Sequence, residues 1–267
     1  MLKGLYTAYT GMVQEQRRLD TLTNNLANSN TAGYKKEGMT TRSFEDELAI
    51  RIKDSGSNYH PRAIGNLKMG VKIGETYTDW SQGPLKVTLD EPHNLALQGN
   101  GFFAIEYTDK QGNSSVKYTR NGEFVVDNQG YLRTVDGDYV LNQDAAMNGT
   151  TGAAGYIQIN PLGEFTVEQN GAIYQDGNVV AQLGVVDVED YNYLEHYGEN
   201  LYDLLEGGQT IASEATVEQY ALETSNYNIV DELVSMITVQ RAYDAGQRMI
   251  RAEDETLEMA VSQVGRV

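Results

Sequence analysis

Two apolar stripes with a seven-residue repeat, one at each end of the chain, constrain its fold more than any other feature of the sequence. Toward the amino end the repeat comprises Leu5, Met12, Leu19 and Leu26. Toward the carboxyl end it comprises Ile229, Met236, Tyr243, Ile250, Leu257 and Val264. Apolar residues at this spacing are typical of long α-helices that pack lengthwise against a similar partner. The stripes therefore predict two terminal helices, over 2–27 and 228–264, that pair as a coiled coil.

Local signals indicate where these helices begin and end. The run Asn28–Gly33 favours turns and left-handed backbone, so it should end the first helix after about 40 Å. Asn228 is a good N-cap for the second helix, and Asp231 and Glu232 place negative charge in its first turn. That helix would be about 55 Å long. Gly246 should weaken it by up to ~1 kcal/mol.

The sequence leaves two interpretations of what the apolar stripes pack against. One interpretation is a simple intramolecular pair that brings the two ends of the chain together. The other is a larger assembly, which the polar residues Gln240, Gln247 and Asp254 along the second stripe favour. We expect the ten stripe residues to form an assembly interface with other copies.

The middle of the chain is strand-like. It is rich in Val, Ile, Thr, Tyr and Phe, with Gly and Asn between the runs. Strong turn signals recur at Asn121-Gly122, Asp136-Gly137, Asn148-Gly149, Asn170-Gly171 and Asp176-Gly177. This pattern predicts a mostly antiparallel β domain, so the whole chain should be of the α+β class.

One stretch of the β region is repeated. The nine residues Gly122–Gly130 (GEFVVDNQG) resemble Gly163–Gly171 (GEFTVEQNG) at an offset of 41 residues. In each copy the Phe and the Val two positions later would face the same side of a strand. We interpret the repeat as one β-hairpin used twice in a meandering antiparallel domain.

These patterns divide the chain into four segments. The connecting segment has mixed signals, with a short helix expected over Phe44–Lys53 and a polar linker over Asp54–Gly65. The expected segments are 1–36 (first helix and the loop after it), 37–70 (connection), 71–222 (acidic β domain) and 223–267 (last helix).

Charge and composition exclude several classes of function. The formal net charge is −18, and residues 73–228 alone carry −19, which disfavours nucleic acid and anionic membranes as partners. The chain has no cysteine, so disulfides and thiolate sites are impossible. No apolar run reaches the ~18 residues of a membrane-spanning helix. The first residues also lack the apolar core of a cleaved signal peptide.

No motif points to catalysis, a cofactor or a metal. The chain has three histidines, His60, His93 and His196, none of which forms a metal-binding pair at helical spacing. Gln98–Gly101 lacks the third glycine of a nucleotide-binding loop and is better explained as a turn before a strand. Asp136 and Asp138 lack the twelve-residue pattern of a calcium loop. We therefore expect no enzyme.

Four collinear stretches resemble the signatures of flagellar rod, hook and hook-junction proteins. They are Thr23–Lys36 (TNNLANSNTAGYKK), Leu97–Ile105 (LQGNGFFAI), Tyr118–Phe124 (YTRNGEF) and Leu222–Asn226 (LETSN), the last followed by Glu232–Ile237 and Gln240–Tyr243. The signature positions are Asn24, Asn25, Ala27, Asn28, Gly33, Tyr34, Gly99, Gly101, Phe102, Phe103, Ser225, Asn226, Arg241 and Tyr243. Ser29 departs from the pattern, because many relatives carry Val there.

The resemblance implies a structural, axial subunit of the basal-body rod that transmits torque as part of a helical polymer. It implies terminal helices packed in an inner tube, with the β domain outside. Its implied partners are copies of itself, neighbouring rod and hook subunits, the flagellar type III export apparatus and outer rings. It also implies export to the flagellum without a cleaved signal. The chain is similar in length to proximal and distal rod subunits, which the sequence does not separate.

Two alternatives remain open. The chain could be another axial protein of the same family, such as a short hook protein or a hook-associated adaptor. A more remote alternative is a secreted carbohydrate-binding β-protein, which would need a groove with stacked aromatic residues and paired carboxylates. If the stripes await other copies, we also expect the two termini to be loose in the monomer.

Overall fold

Helices occupy both ends of the chain, and strands occupy most of the rest. The computed structural model describes residues 2–45, 47–51, 62–198 and 200–264. The helices are α1 (Leu2–Ala27), α2 (Gln143–Asn148) and α3 (Ile229–Met259), and α3 continues as a π-helical turn over Ala260–Val264. Every strand pair of the described residues is antiparallel. The α+β class with terminal helices and a mostly antiparallel β region is confirmed.

The chain folds into two compact units. The first comprises Met1–Ala27, Lys36–Asp79 and Tyr227–Val267. The second comprises Asn28–Lys35 and Trp80–Asn226. The first unit thus holds both terminal helices, and the second holds most of the strands.

Two β-ribbons accompany the helices of the first unit. Its strands are β1 (Glu37–Ser43), β2 (Glu47–Arg51), β3 (Arg62–Leu67) and β4 (Val71–Thr78). β1 pairs with β4, and β2 pairs with β3. The helix expected over Phe44–Lys53 was wrong, because Glu47–Arg51 pairs as a strand with Arg62–Leu67. The same pairing ends the expected linker at β3, while its residues 54–61 lie outside the described ranges.

α1 and α3 lie side by side in antiparallel directions. A Cβ atom added to Gly246 would lie 2.6 Å from Met12 Cγ, and one added to Gly4 would collide with the Glu253 carboxylate. Since residues near the start of α1 therefore contact the second half of α3, the two helices run in opposite directions. Val239 is buried on the same face of α3 as Gly246.

The predicted helix ends are confirmed. Asn228 accepts a hydrogen bond from the Val230 N–H through its side-chain oxygen at 3.1 Å, which makes it the N-cap of α3. α1 ends at Ala27, and Gly33 in the following loop has φ +70°, in the left-handed region.

The described residues of the second unit form sixteen strands and α2. The strands are β5 (Leu85–Val87), β6 (Leu95–Gln98), β7 (Phe102–Thr108), β8 (Ser114–Thr119), β9 (Phe124–Val126), β10 (Leu132–Thr134), β11 (Tyr139–Val140), β12 (Phe165–Val167), β13 (Ala172–Gln175), β14 (Asn178–Gln182), β15 (Val185–Val188), β16 (Leu194–Tyr197), β17 (Leu201–Leu204), β18 (Thr210–Ala212), β19 (Thr216–Gln219) and β20 (Ala221–Glu223). Short 3₁₀ turns lie at Ala153–Gly155 and Tyr191–Tyr193.

The largest sheet is not the simple meander expected from the sequence. Its strands run in the order β16, β17, β8, β7, β11, β10, β9, and β15 also pairs with β7. β17 joins this sheet beside β8, although many residues separate the two strands in the chain. β12, β13 and β14 form a separate three-stranded sheet of consecutive strands. Smaller ribbons join β19 to β6 and β20 to β5.

The repeated hairpin is present twice, as predicted. In the first copy, β9 pairs with β10; in the second, β12 pairs with β13. Phe124 and Phe165 are both buried, and Val126 and Val167 both pack against the same core cluster. The two copies thus bury the same face, which is the side the spacing of Phe and Val indicated.

Three of the predicted turn signals lie between paired strands, and a fourth lies at the end of a helix. Asp136-Gly137, Asn170-Gly171 and Asp176-Gly177 connect paired strands. Asn148-Gly149 instead ends α2, where Gly149 adopts a left-handed conformation as the C-cap. The turn signal at Asn148-Gly149 thus marks the end of a helix, whereas the other three mark connections between strands.

Two apolar clusters form the core of the second unit. The larger lies around Phe103, Ile105 and the hairpin phenylalanines. The smaller contains Phe102 and Tyr202, with Trp80 packed against it. The Trp80 ring lies 4.9 Å from that of Tyr202 and 5.5 Å from that of Phe102. Burying rings of this size contributes strongly to stability.

Candidate functional site

Three charged side chains from distant parts of the second unit meet in its interior. Lys35 Nζ lies 2.6 Å from one carboxylate oxygen of Glu223, and Arg120 Nη1 lies 3.1 Å from the other. Each of the three side chains is at most 4% exposed. Lys35, Arg120 and Glu223, which we call the signature cluster, belong to three of the four stretches that resemble a known family.

Backbone groups also form hydrogen bonds with these three charged side chains. The Gly83 N–H donates to Glu223 Oε1 at 2.8 Å, and Lys35 Nζ donates to the Ser81 carbonyl at 2.8 Å. Arg120 Nη2 donates to the Gly99 carbonyl at 2.7 Å. The carboxylate thus accepts three charge-assisted or backbone hydrogen bonds, which offset the cost of removing it from water.

The loop after α1 joins the last strand of the unit through the main chain as well. The Gly33 N–H donates to the Glu223 carbonyl at 2.7 Å. A Cβ atom at Gly33 would collide with the backbone of Arg120 and Asn121, and its φ of +70° favours glycine independently. Only glycine therefore fits this position without displacing a neighbouring segment.

Other signature residues have structural roles. Asn25 pairs through its side-chain amide with both backbone groups of Glu37, at 2.8 and 3.0 Å, within the first unit. In the second unit, Asn226 Nδ2 donates to Ser81 Oγ at 3.1 Å. Tyr34 and Ser225 are buried. The two asparagines thus hold neighbouring groups by hydrogen bonds, and Tyr34 and Ser225 are covered by the surrounding fold.

The glycine-rich stretch is a tight turn between β6 and β7, as expected. Gly99 and Gly101 have φ of +114° and +145°. The Ser213 hydroxyl fills the space where a Cβ at Gly101 would be. Phe102 and Phe103, which follow directly, are fully buried on opposite sides of β7 in the two core clusters. The turn therefore serves to direct β7 into the core.

The predicted stripe residues lie on the helix pair of the first unit. Those whose side chains are described and half-buried are Leu5, Met12, Leu19, Leu26, Met236, Tyr243, Ile250 and Leu257. Ile229 is exposed, and the side chain of Val264 lies outside what the structure describes. In α3 the half-buried residues lie on or beside the face of Val239 and Gly246, which is turned toward α1. The pairing partner inside the chain thus covers part of each stripe.

Sequence reasoning did not recognise a second, exposed apolar face on the same helices, outside the ten stripe positions. Val230, Leu233, Val234 and Ile237 of α3 are exposed, as are Tyr6, Tyr9 and Val13 of α1. The spacing of the first four, i, i+3, i+4 and i+7, is that of one helix face and could have revealed them. The signature cluster was also missed, although all three of its residues lie within the quoted motifs.

The two histidines that the structure describes, His93 and His196, pack against different aromatic rings. The His93 ring lies 5.3 Å from that of Phe165, and burial lowers the pKa of His93 below its ordinary value of 6.5. The His196 ring packs edge-on against Tyr202. His60 lies outside the described residues. Within the described ranges no group of three or more His, Cys, Asp or Glu side chains is placed to hold a metal ion.

Asp138 lies in the loop whose sequence was compared with a calcium-binding loop, and its surroundings shift its pKa. Burial, with a smaller contribution from the charge of Asp136, raises the pKa of Asp138. The loop itself is the turn between β10 and β11.

In the part of the chain that the structure covers, no helix combines the length and apolarity needed to cross a membrane.

Fold and site together define a structural protein whose apolar helix faces are suited to association. Three family models match the chain in order. They are the flagella basal body rod protein (residues 5–35), the flagellar hook protein FlgE/F/G D1 domain (96–181) and the flagellar basal body rod FlgEFG protein C-terminal region (218–263).

Full-length relatives agree with the family models. The chain is 30% identical to the flagellar basal-body rod protein FlgF of Caulobacter vibrioides, over 100% of both chains. It is 33% identical to the rod protein FlgG of Buchnera aphidicola subsp. Baizongia pistaciae, over 97% of this chain and 98% of the relative. It is 29% identical to the flagellar hook-basal body complex protein FlhO of Bacillus subtilis, over 100% of both.

The chain belongs to the flagellar basal-body rod protein family. This is a family of structural proteins and not of enzymes, in agreement with the resemblance that the four motifs indicated.

Proposed function

We propose that this protein is an axial subunit of the flagellar rod that polymerises through its terminal helices into a torque-transmitting shaft. The observation that carries the proposal is the row of exposed apolar side chains on the helix pair of the first unit. Monomeric soluble proteins rarely expose contiguous apolar surface, and such surface marks interaction sites. Family membership supplies the context in which copies of the same chain meet.

The helix pair is suited to bear load. The ten predicted stripe residues would act as a coiled-coil seam that joins α1 to α3, and the exposed parts of those that the structure describes would contact neighbouring subunits. Many shallow apolar contacts distributed along a long helix resist sliding along the axis. A head-to-tail contact between identical copies generates an open helical polymer when its rotation does not close a ring.

The four predicted segments divide the work in this proposal. Segments 1–36 and 223–267 supply the inner tube, 37–70 connects, and the acidic segment 71–222 forms the outer layer. The strong negative charge of the outer layer keeps monomers soluble before assembly. We include export through the flagellar type III apparatus, neighbouring rod and hook subunits and surrounding outer rings in the proposal.

Substitution of one stripe residue tests this function. Ile250→Asp places a charge in the seam, so we expect it to remove the protein from isolated basal bodies and to abolish motility. Leu162→Asp is the control, because Leu162 is 97% exposed in the second unit. The unfolding transition of the second unit should stay unchanged in both variants. Normal assembly of Ile250→Asp would contradict the proposed role of the helices.

The same preparation separates the alternative axial roles. Labelling the chain in purified basal bodies for electron microscopy shows whether it lies in the rod or at the hook. A label confined to the hook or its junction would favour the hook-associated alternative.

A further inference from the structure

The first two strands of the second unit pair with its last two. β6 (Leu95–Gln98) pairs with β19 (Thr216–Gln219), and β5 (Leu85–Val87) pairs with β20 (Ala221–Glu223). Each pair is a two-stranded sheet of its own within the described ranges. We call residues 216–223, which span β19 and β20, the closing segment. Until the closing segment is in place, β5 and β6 therefore have no strand to pair with in the described part of the chain.

Apolar packing depends on the same segment. Leu95 and Leu97 of β6 and Val217 of β19 are each at most 2% exposed, and all three belong to the larger core cluster. Val217 lies directly opposite Leu97 in the register of the two strands. Without the closing segment the core would lack Val217, and Leu97 would lose the neighbour that covers it across the ribbon.

The closing segment also joins parts of the unit that are distant in the chain. Gln219 Nε2 donates to the Pro92 carbonyl at 2.9 Å, and Gln219 Oε1 accepts from the Val167 N–H at 3.0 Å. The Val217 N–H donates to the Gln169 carbonyl at 2.9 Å. One short segment thus ties the chain before β6 to β12 and to the turn that follows β12.

Charge gives the closing segment a role beyond strand pairing. Its last residue, Glu223, supplies the carboxylate that both Lys35 and Arg120 contact. Each of these two cations is at most 4% exposed in the folded unit, and burying a charge without its counter-charge is strongly unfavourable. Lys35 and Arg120 should therefore remain in water until Glu223 docks, which keeps the loop after α1 and the end of β8 from packing early.

The strands in the middle of the unit have partners close by in the chain. β7 pairs with β8, β9 pairs with β10, and β13 pairs with both β12 and β14. By contrast, the Gly83 N–H just before β5 and the Glu223 carboxylate that it contacts are 140 residues apart. Closing a long loop costs more entropy than closing a short one, and contacts between neighbouring segments form faster.

We propose that the closing segment is a latch that docks last and completes the fold of the second unit. When the chain is released amino end first, as it is from a ribosome, β5, β6, Lys35 and Arg120 remain without their partners until residue 223 is free. For a chain that is exported as proposed above, the consequence is a second unit that stays extended until the closing segment is released. The latch itself concerns the folding of one copy, so its test is independent of the proposed function.

Pulsed hydrogen exchange during refolding of the full-length natural chain tests the order of docking. The chain is diluted from urea, labelled after increasing times and digested, and mass spectrometry reports the protection of each peptide. We expect the amides of β9 and β10 to be protected first, and those of β5, β6, β19 and β20 to be protected together at a later time. Protection of β6 and β19 before β9 and β10, or together with them, would overturn the proposal.

Full-length variants separate late docking from ordinary packing. Glu223→Gln and Val217→Ala weaken the closing segment, and Leu132→Ala is the matched control in β10, where Leu132 is 1% exposed. A contact that forms after the transition state affects the unfolding rate and leaves the folding rate unchanged. With the fluorescence of Trp80 as the signal, we expect both closing-segment variants to unfold at least about tenfold faster and to refold within about twofold of the natural rate. Leu132→Ala should refold more slowly than either.

Val217→Ala keeps the test decisive if Glu223→Gln does not fold. Refolding of Val217→Ala that is slowed by the whole of its loss of stability would show that the closing segment docks early, and the latch would be refuted. Natural refolding of Val217→Ala with faster unfolding, beside slowed refolding of Leu132→Ala, would support it.

Discussion

Lys35 and Glu223 are separated by 188 residues, and their side chains meet 2.6 Å apart in a site where each is 1% exposed. The pair joins the loop after the first helix to the strand before the last helix. It therefore fixes, within the second unit, the two points at which the chain leaves for its terminal helices. Arg120 shares the same carboxylate, so the central strands are tied to these points as well.

Removing the charge of Glu223 should destabilise the second unit strongly. Glu223→Gln removes the charge that Lys35 and Arg120 share, and breaking a buried ion pair in this way costs about 3–5 kcal/mol. Urea denaturation followed by the fluorescence of the single tryptophan, Trp80, measures the free energy of unfolding. Glu75→Gln is the control, because its exposed pair with Arg42 should contribute under ~1 kcal/mol. Equal effects of the two substitutions would contradict the role of the cluster.

Gly33→Ala should destabilise the protein more than Gly112→Ala, although both glycines have a positive φ. At Gly33 a methyl group meets the backbone of Arg120 and Asn121, whereas at Gly112, with φ +87°, nothing lies within 4 Å. Gly112→Ala should cost only the ~1 kcal/mol of the strained conformation. Thermal unfolding of both variants gives the difference. A melting temperature of Gly33→Ala equal to that of Gly112→Ala would refute the close approach.

The contact between α1 and α3 predicts coupling between Gly246 and Met12. Gly246→Ala gains up to ~1 kcal/mol of helix propensity, but its methyl group would lie 2.6 Å from Met12 Cγ. In a Met12→Ala background the clash is absent, so the gain should appear there. A double-mutant cycle should give a coupling of about 0.5–3 kcal/mol. Additive effects would show that the two helices do not pack at this position.

The stability of the second unit should fall at high pH through Tyr191. Burial, followed by a hydrogen bond from its hydroxyl to Asp187 at 2.8 Å, raises the pKa of Tyr191 from 10.0 to about 12. Because the folded-state pKa is raised, the stabilisation is fully present below pH 10 and is lost as the pH rises toward 12. Tyr191→Phe removes this dependence.

Urea denaturation between pH 8 and about 12 measures that difference. The gap in unfolding free energy between the natural chain and Tyr191→Phe should be constant up to pH 10 and should change above it. Tyr77→Phe, at an exposed ring, controls for the loss of a phenol in general. A constant gap over the whole range would contradict the raised pKa.

The features that the sequence predicted well are those with local causes. The helices follow from a seven-residue repeat, the N-cap from Asn228, and the twin hairpins from alternating Phe and Val. The helix expected over Phe44–Lys53 failed because pairing of Glu47–Arg51 with a distant strand overrides local propensity. The order of strands in the large sheet depends on similarly distant contacts.

The candidate site was predicted only in part for a related reason. A repeat such as Met236, Tyr243 and Ile250 shows that a partner exists, but the same spacing serves a partner within the chain or in another copy. Only the antiparallel placement of α1 shows which faces remain exposed. The signature cluster could not be inferred from charge alone, because nothing in the sequence distinguishes Glu223 from the other acidic side chains, of which the chain has 38 in all.

The burial of the signature cluster also determines how it responds to salt. Salt screens exposed charges over about 10 Å at 0.1 M, but it screens buried pairs much less. Each side chain of the cluster is at most 4% exposed. Raising the ionic strength should therefore weaken the exposed pair of Arg42 and Glu75 while leaving the link between the loop after α1 and β20 intact.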